Sequence, residues 1–210
     1  SGTCGVNSTW KLTDIVTLII SGCGKMKNYI WNNIAIDTDV HPYEWYSIKK
    51  LVIEEGITSV GEFAFAYCSS LSEVALPSTL RSIGNGAFMN CKKLNSIIIP
   101  NRVTLIDMNA FAKCSSLESV VIPASVKEIP LATFCDCYRL KDVYFCGTEE
   151  QWKNMLIAPA NDRFMSSEIQ MHYNYYNAFG QSAETFNEVE NSITTGKTST
   201  NNNTMHAVFN

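Results

Sequence analysis

Residues 71–93 read LSEVALPSTLRSIGNGAFMNCKK, and the next 23, residues 94–116, read LNSIIIPNRVTLIDMNAFAKCSS. The two align position for position, and the match extends to either side. Phe65, Phe88, Phe111 and Phe134 are spaced by 23, as are Cys68, Cys91, Cys114 and Cys137. A third column is Leu71, Leu94, Leu117 and Leu140, followed three and five residues later by Val74/Leu76, Ile97/Ile99, Val120/Ile122 and Val143/Phe145. Four units of 23 therefore occupy 48–139, and a fifth strand begins at Leu140. Self-similarity at such a period marks a stacked-repeat architecture.

Each column has a physical task. The paired apolar residues two apart belong to a short strand and point to one side, because side chains alternate along a strand. Pro77, Pro100 and Pro123 follow; proline lacks the N–H that a ladder needs and ends the strand. A second apolar pair, such as Leu80 and Ile83, returns to the core. The Ala-Phe-x-x-Cys segment suits a single helical turn on the back of the coil, with the phenylalanine plugging the space between neighbours. One 23-residue coil cannot bury enough apolar surface to fold alone, so stability must come from stacking.

Composition narrows the alternatives. The chain has 210 residues, of which 46% are hydrophobic and 17% charged, enough for a sizeable core. Sixteen basic and twenty acidic residues give a net charge of −4 with no basic cluster, which argues against nucleic acid as a partner. The longest apolar stretch, Ile15 to Ile20, is broken by Thr17 and is far short of the roughly 20 residues a membrane span needs. No charged-then-apolar leader opens the sequence, which reads either as a chain without a secretion signal or as a mature or trimmed one. From 174 onward, eight Asn, six Thr and three Ser make up 17 of 37 residues, a composition poor in core formers. Within it Phe179, Phe186, Val189 and Ile193 are expected to anchor the tail against the body.

The repeat columns resemble the BspA-type leucine-rich repeat, a 23-residue class of surface proteins in mucosal bacteria and some protozoa. The similarity extends to Ser1–Gly5, Trp10-x-Leu12, Ile20 to Met26 and Trp45-Tyr46 on one side. On the other it takes in Gly147 to Trp152 and Ile169-x-x-His172-Tyr173. It implies an α/β leucine-rich repeat solenoid: a short right-handed coil stack with one parallel β-sheet, an N-terminal β-hairpin cap and a C-terminal α+β cap. The expected divisions are 1–47 for the N-terminal cap, 48–139 for the four repeats, 140–173 for the C-terminal cap and 174–210 for the polar tail. The resemblance further implies secretion or a cell-surface location, adhesion or ligand binding, and no catalytic machinery or cofactor. Protein or glycan ligands are the implied partners, host extracellular matrix among them. Glu54 departs from the proline column, Asp107 and Pro130 from the glycine column, and Thr133 from alanine; none removes a core hydrophobe.

By the same resemblance, the outward strand face is the ligand side. Its central column is Val52, Ala75, Ile98, Val121 and Tyr144; beside it run Lys50, Glu73, Ser96, Ser119 and Asp142. An apolar stripe with a polar rim is the anatomy of a contact patch, although strand propensity alone also favours valine and isoleucine there. A spacer or homodimer built on the same face is the alternative use.

The eight cysteines divide. Cys68, Cys91, Cys114 and Cys137 read as a structural column of small packed side chains bonding backbone groups. They lack the paired C-x₂-C spacing of a zinc site, and no metal site is expected. Reflecting a hairpin about Asp14 places Cys4 and Cys23 near each other, leaving a disulfide or two free thiols open there. Other motifs lose their meaning in context. Leu76-Pro77-Ser78-Thr79 imitates a sortase signal but occupies the strand-exit column. Gly22-Cys23-Gly24-Lys25 lacks the spacing and hydroxyl of a phosphate loop. His41, His172 and His206 are scattered, and no activated-nucleophile motif is present, so no catalytic residue is expected. Asn7-Ser8-Thr9 is a glycosylation sequon only in a eukaryotic source.

Overall fold

The computed structural model describes residues 1–13, 16–29 and 43–175; His41, His206 and the four apolar tail residues lie outside them. The chain opens with β1 (Gly2–Gly5), β2 (Ser8–Leu12), β3 (Thr17–Gly22) and β4 (Gly24–Lys25), and a 3-10 turn spans Tyr43–Ser47. The coils contribute β5 (Lys50–Ile53), β6 (Ile57–Val60), β7 (Glu73–Ala75), β8 (Ser82–Ile83), β9 (Ser96–Ile98), β10 (Leu105–Ile106), β11 (Ser119–Ile122), β12 (Glu128–Ile129) and β13 (Asp142–Phe145). Helix α1 (Glu149–Lys153), β14 (Leu156–Ile157) and β15 (Gln170–His172) complete the order.

From β3 onward the strands alternate between two rows, odd numbers forming an inner row and even numbers an outer one. This corrects the expected single parallel sheet. The inner row is two sheets, β1-β2-β3-β5-β7 and β9-β11-β13-β15, and the outer row is β4-β6-β8-β10 with a separate β12-β14 pair. The second apolar pair of each coil, read only as core filling, thus also supplies a two- to four-residue outer strand.

The core is built from the columns. Leu71, Leu94, Leu117 and Leu140 are fully buried, as are Phe65, Phe88, Phe111 and Phe134. The four rings stack face to face at centroid spacings of 5.4, 5.5 and 5.5 Å, with interplanar angles of 20°, 1° and 7°. Trp45 begins the ladder 5.2 Å from Phe65, and Phe164 ends it 4.8 Å from Phe134. Both terminal rings lie outside the 23-residue period. Helix α1, closed by a Thr148–Gln151 capping box, lengthens the coil that begins at Leu140 and so shifts its ring position to 164.

The expected helical turn on the back is not a helix. Its backbone N–H groups point alternately along the coil and to the next one. Ala64, Ala66 and Cys68 donate three residues back to Gly61, Phe63 and Phe65, while Phe63, Phe65 and Tyr67 donate across to Asn85, Ala87 and Met89 at 2.7–2.8 Å. This alternation places two residues per coil in the left-handed region: Phe63, Gly86, Asn109 and Ala132 in one column, Tyr67, Asn90, Lys113 and Asp136 in the other. A helix would have satisfied the coil internally; successive turns satisfy it partly through the neighbour and so bond the stack together.

Two of the departures from the repeat, Glu54 and Thr133, have local reasons. Glu54 supplies an N–H that donates to Ile20 O at 2.9 Å, a bond proline cannot make. Thr133 is buried, but its hydroxyl donates to Pro130 O at 2.9 Å. Gly61 sits where a Cβ would come 1.9 Å from Lys27 O, so glycine lets the N-terminal segment lie on the first coil.

Candidate functional site: the outward strand face

Cross-strand register places the stripe in two runs, one on each inner sheet. Val52 pairs with Ala75, Ile98 with Val121, and Val121 with Tyr144. The polar column follows it: Lys50 pairs with Glu73, Ser96 with Ser119, and Ser119 with Asp142. Val52, Ala75, Ile98 and Tyr144 are half-buried, whereas Val121 is only 4% exposed. Lys50 and Glu73 are exposed and lie 3.6 Å apart, a solvated pair worth little to stability.

The row is longer than the repeat. Ile19 pairs with Val52 at one end and His172 with Tyr144 at the other, with Thr17 and Gln170 extending the polar column. Repeat spacing missed these residues because the connections to β3 and β15 do not keep the 23-residue period; the alternation Leu18-Ile19-Ile20 was the available signal for the first. At the far end the His172 ring stacks on Tyr144 at 4.3 Å and 12°, its Nε2 lies 2.9 Å from Asp142 Oδ1, and Tyr175 leans on Tyr144 at 4.8 Å. Beyond the polar column, Glu118 is held by Arg139 at 2.6 Å and Lys141 at 3.2 Å.

The cysteine column faces away from this surface. Cys91, Cys114 and Cys137 each donate their thiol to the carbonyl of Phe65, Phe88 and Phe111, the phenylalanine of the preceding coil, at 3.2 Å. Burial pushes the thiols of Cys68, Cys91, Cys114 and Cys137 upward, away from the reactive thiolate. Cys4 and Cys23 are not bridged. Cys4 lies on β1, separated from β3 by β2; the N-terminal unit is a three-stranded meander, so a single reflection misplaces it. Cys4 is buried with its Sγ 3.6 Å from Ser8 Oγ, while Cys23 is exposed, and both are free thiols. Alkylation of the native protein is therefore expected to modify Cys23 quickly and the four column thiols only on unfolding. Mass analysis after denaturation without reductant should count eight modified cysteines; six would mean a bridge.

Among the described residues no group of three or more His, Cys, Asp or Glu side chains is placed to hold a metal ion, and no helix is long and apolar enough to cross a membrane.

Two rows of parallel strands, one turn-bonded back and a continuous ring ladder define a leucine-rich repeat solenoid with an apolar strand face. The chain belongs to the BspA type leucine rich repeat family, whose repeat region matches residues 36–158 in six copies. Among solved structures it is similar to a leucine rich cell surface protein from Faecalibacterium prausnitzii A2-165, at 23% identity and a TM-score of 0.53 over 75% of this chain and 41% of that one. A leucine-rich repeat protein from Eubacterium ventriosum gives 23% identity and a TM-score of 0.50 over 75% of this chain and 44% of that one. The chain thus spans less than half the length of either structure. No curated protein sequence matches it.

Proposed function

We propose that the protein is an extracellular or cell-surface adhesion or ligand-binding module that engages a protein or glycan through the outward strand face. The observation that carries this is the apolar stripe, with Val52 and Ala75 in register on one sheet and Ile98, Val121 and Tyr144 in register on the next, flanked by Lys50, Glu73, Ser96, Ser119 and Asp142. A half-buried apolar strip with polar margins offers desolvatable area at its centre and orienting groups at its edge. The surface location in this proposal draws on the family and on the description of the Faecalibacterium protein as a cell surface protein. Host extracellular matrix is the class of partner to test first.

The test is binding of the protein to an array of matrix proteins, mucins and glycans beside an Ile98→Asp/Tyr144→Asp variant. Loss of at least about tenfold in affinity is expected, the effect of removing central apolar contacts. A partner bound equally by the variant would remove the strand face from the proposal. A second reading is a spacer, or a homodimer using the same face; the spacer is favoured by the burial of Val121, which takes one of the five stripe residues out of contact. A concentration-dependent dimer in sedimentation, abolished by Ile98→Asp, with no partner on the array, would establish that reading instead.

A further inference from the structure

Val74 departs from the rule its column sets. The equivalent inward residues Leu51, Ile97, Val120 and Val143 are at most 2% exposed, but Val74 is only partly buried. Its strand β7 is also the last of one inner sheet, and β9 is the first of the other. Where the inner row is continuous, strand entries are tied by N–H groups of Ser72 to Lys49 O, Glu118 to Asn95 O and Lys141 to Glu118 O. Among the described residues no corresponding bond runs from Asn95 to Ser72. At the strand exit, Ile99 donates to Val121 O at 3.0 Å, and Leu76 has no counterpart to Ile98.

The same two coils are joined everywhere else. Strands β8 and β10 are paired, Thr104 donates to Arg81 O and Asp107 to Ile83 O at 3.0 and 2.9 Å, and Phe88 donates to Ala110 O at 2.8 Å. Rings Phe88 and Phe111 stack at 5.5 Å and 1°. The opening is therefore confined to the inner face. Ala75 supplies a reason: cross-strand side-chain pairs hold sheets together, and alanine, a weak strand former, gives Ile98 only a methyl to pack on.

We propose that this seam is a joint, at which the coils up to β7 and those from β9 onward rock as two plates about the bonded outer side, with Ala75 setting its looseness. The inference does not depend on the strand face having a partner. It is tested on the full chain by amide hydrogen exchange and relaxation dispersion in NMR, without any ligand. The amides of Val74, Leu76, Ser96 and Ile98 are expected to exchange at least about 30-fold faster than their repeat equivalents at Ile97, Ile99, Ser119 and Val121. Dispersion should be concentrated in 72–76 and 95–99, and Ala75→Val, at a half-buried outward position, should reduce both effects. Protection equal to that of the equivalents would show a closed ladder. Fast exchange with flat dispersion would show a fixed gap and overturn the joint, and an Ala75→Val variant unchanged in both measurements would overturn the role given to alanine.

Discussion

Phe111→Ala is expected to destabilise the solenoid by about 3–5 kcal/mol, the range for truncating a large aromatic in a close-packed core. Phe111 is fully buried, and its ring faces Phe88 and Phe134 at 5.5 Å on each side. Removing it empties the centre of a stack whose backbone is tied within and between coils: Ala112 donates to Asn109 O in the same coil, while Phe88 donates to Ala110 O and Phe111 to Thr133 O across to the next. Those bonds hinder collapse into the cavity, which places the loss toward the upper part of that range. Urea denaturation of the variant checks the size. Phe111→Leu should recover a large part of the loss, since it restores volume but not ring stacking. A loss below about 1 kcal/mol for Phe111→Ala would mean that the ladder does not bear on stability.

Asn161→Ala should cost about 2–4 kcal/mol, because it strips several buried backbone groups of their partner at once. In the preceding coils the phenylalanine N–H donates to the next coil's backbone carbonyl, as Phe111 does to Thr133 O at 2.9 Å. At the end of the stack Phe134 donates instead to the side-chain Oδ1 of Asn161, also at 2.9 Å. The Asn161 amide in turn donates to Pro130 O at 2.9 Å and Ala158 O at 2.8 Å, and the residue is only 2% exposed. One side chain of the lengthened last coil thus stands in for the backbone carbonyl that earlier coils supply. Thermal denaturation measures the loss, and hydrogen exchange locates it: protection should fall first at Phe134 and in the coil after it. A uniform loss across all coils would contradict a local capping role.

The repeat could be read because the same requirement recurs four times. Any residue in a column is weak evidence, but Phe65, Phe88, Phe111 and Phe134 together demand one buried site per coil. What lay between the columns was harder. The Ala-Phe-x-x-Cys spacing fits a helical turn and a run of alternating turns equally well, since both bring Phe and Cys to one side; the deciding factor is that every second N–H is claimed by the next coil. The outer strands Ser82–Ile83 and Leu105–Ile106 are two residues long, too short for alternation to show. The face itself was legible wherever the period held, from Val52 to Tyr144. Ile19 and His172 escaped because the coils containing them have other lengths, and the break between Ala75 and Ile98 arises from a packing difference that no pattern of apolar and polar residues records.

The ring ladder has a consequence for how such a chain can change length. Each interior phenylalanine meets a phenylalanine on both sides, so excising one 23-residue segment, or copying one in frame, rejoins like to like. Within the ladder the junctions at Trp45 and Phe164 are the ones that depart from this pairing of like with like. The two ends are the parts inheritance must keep, while the number of units between them is free to drift by duplication and loss.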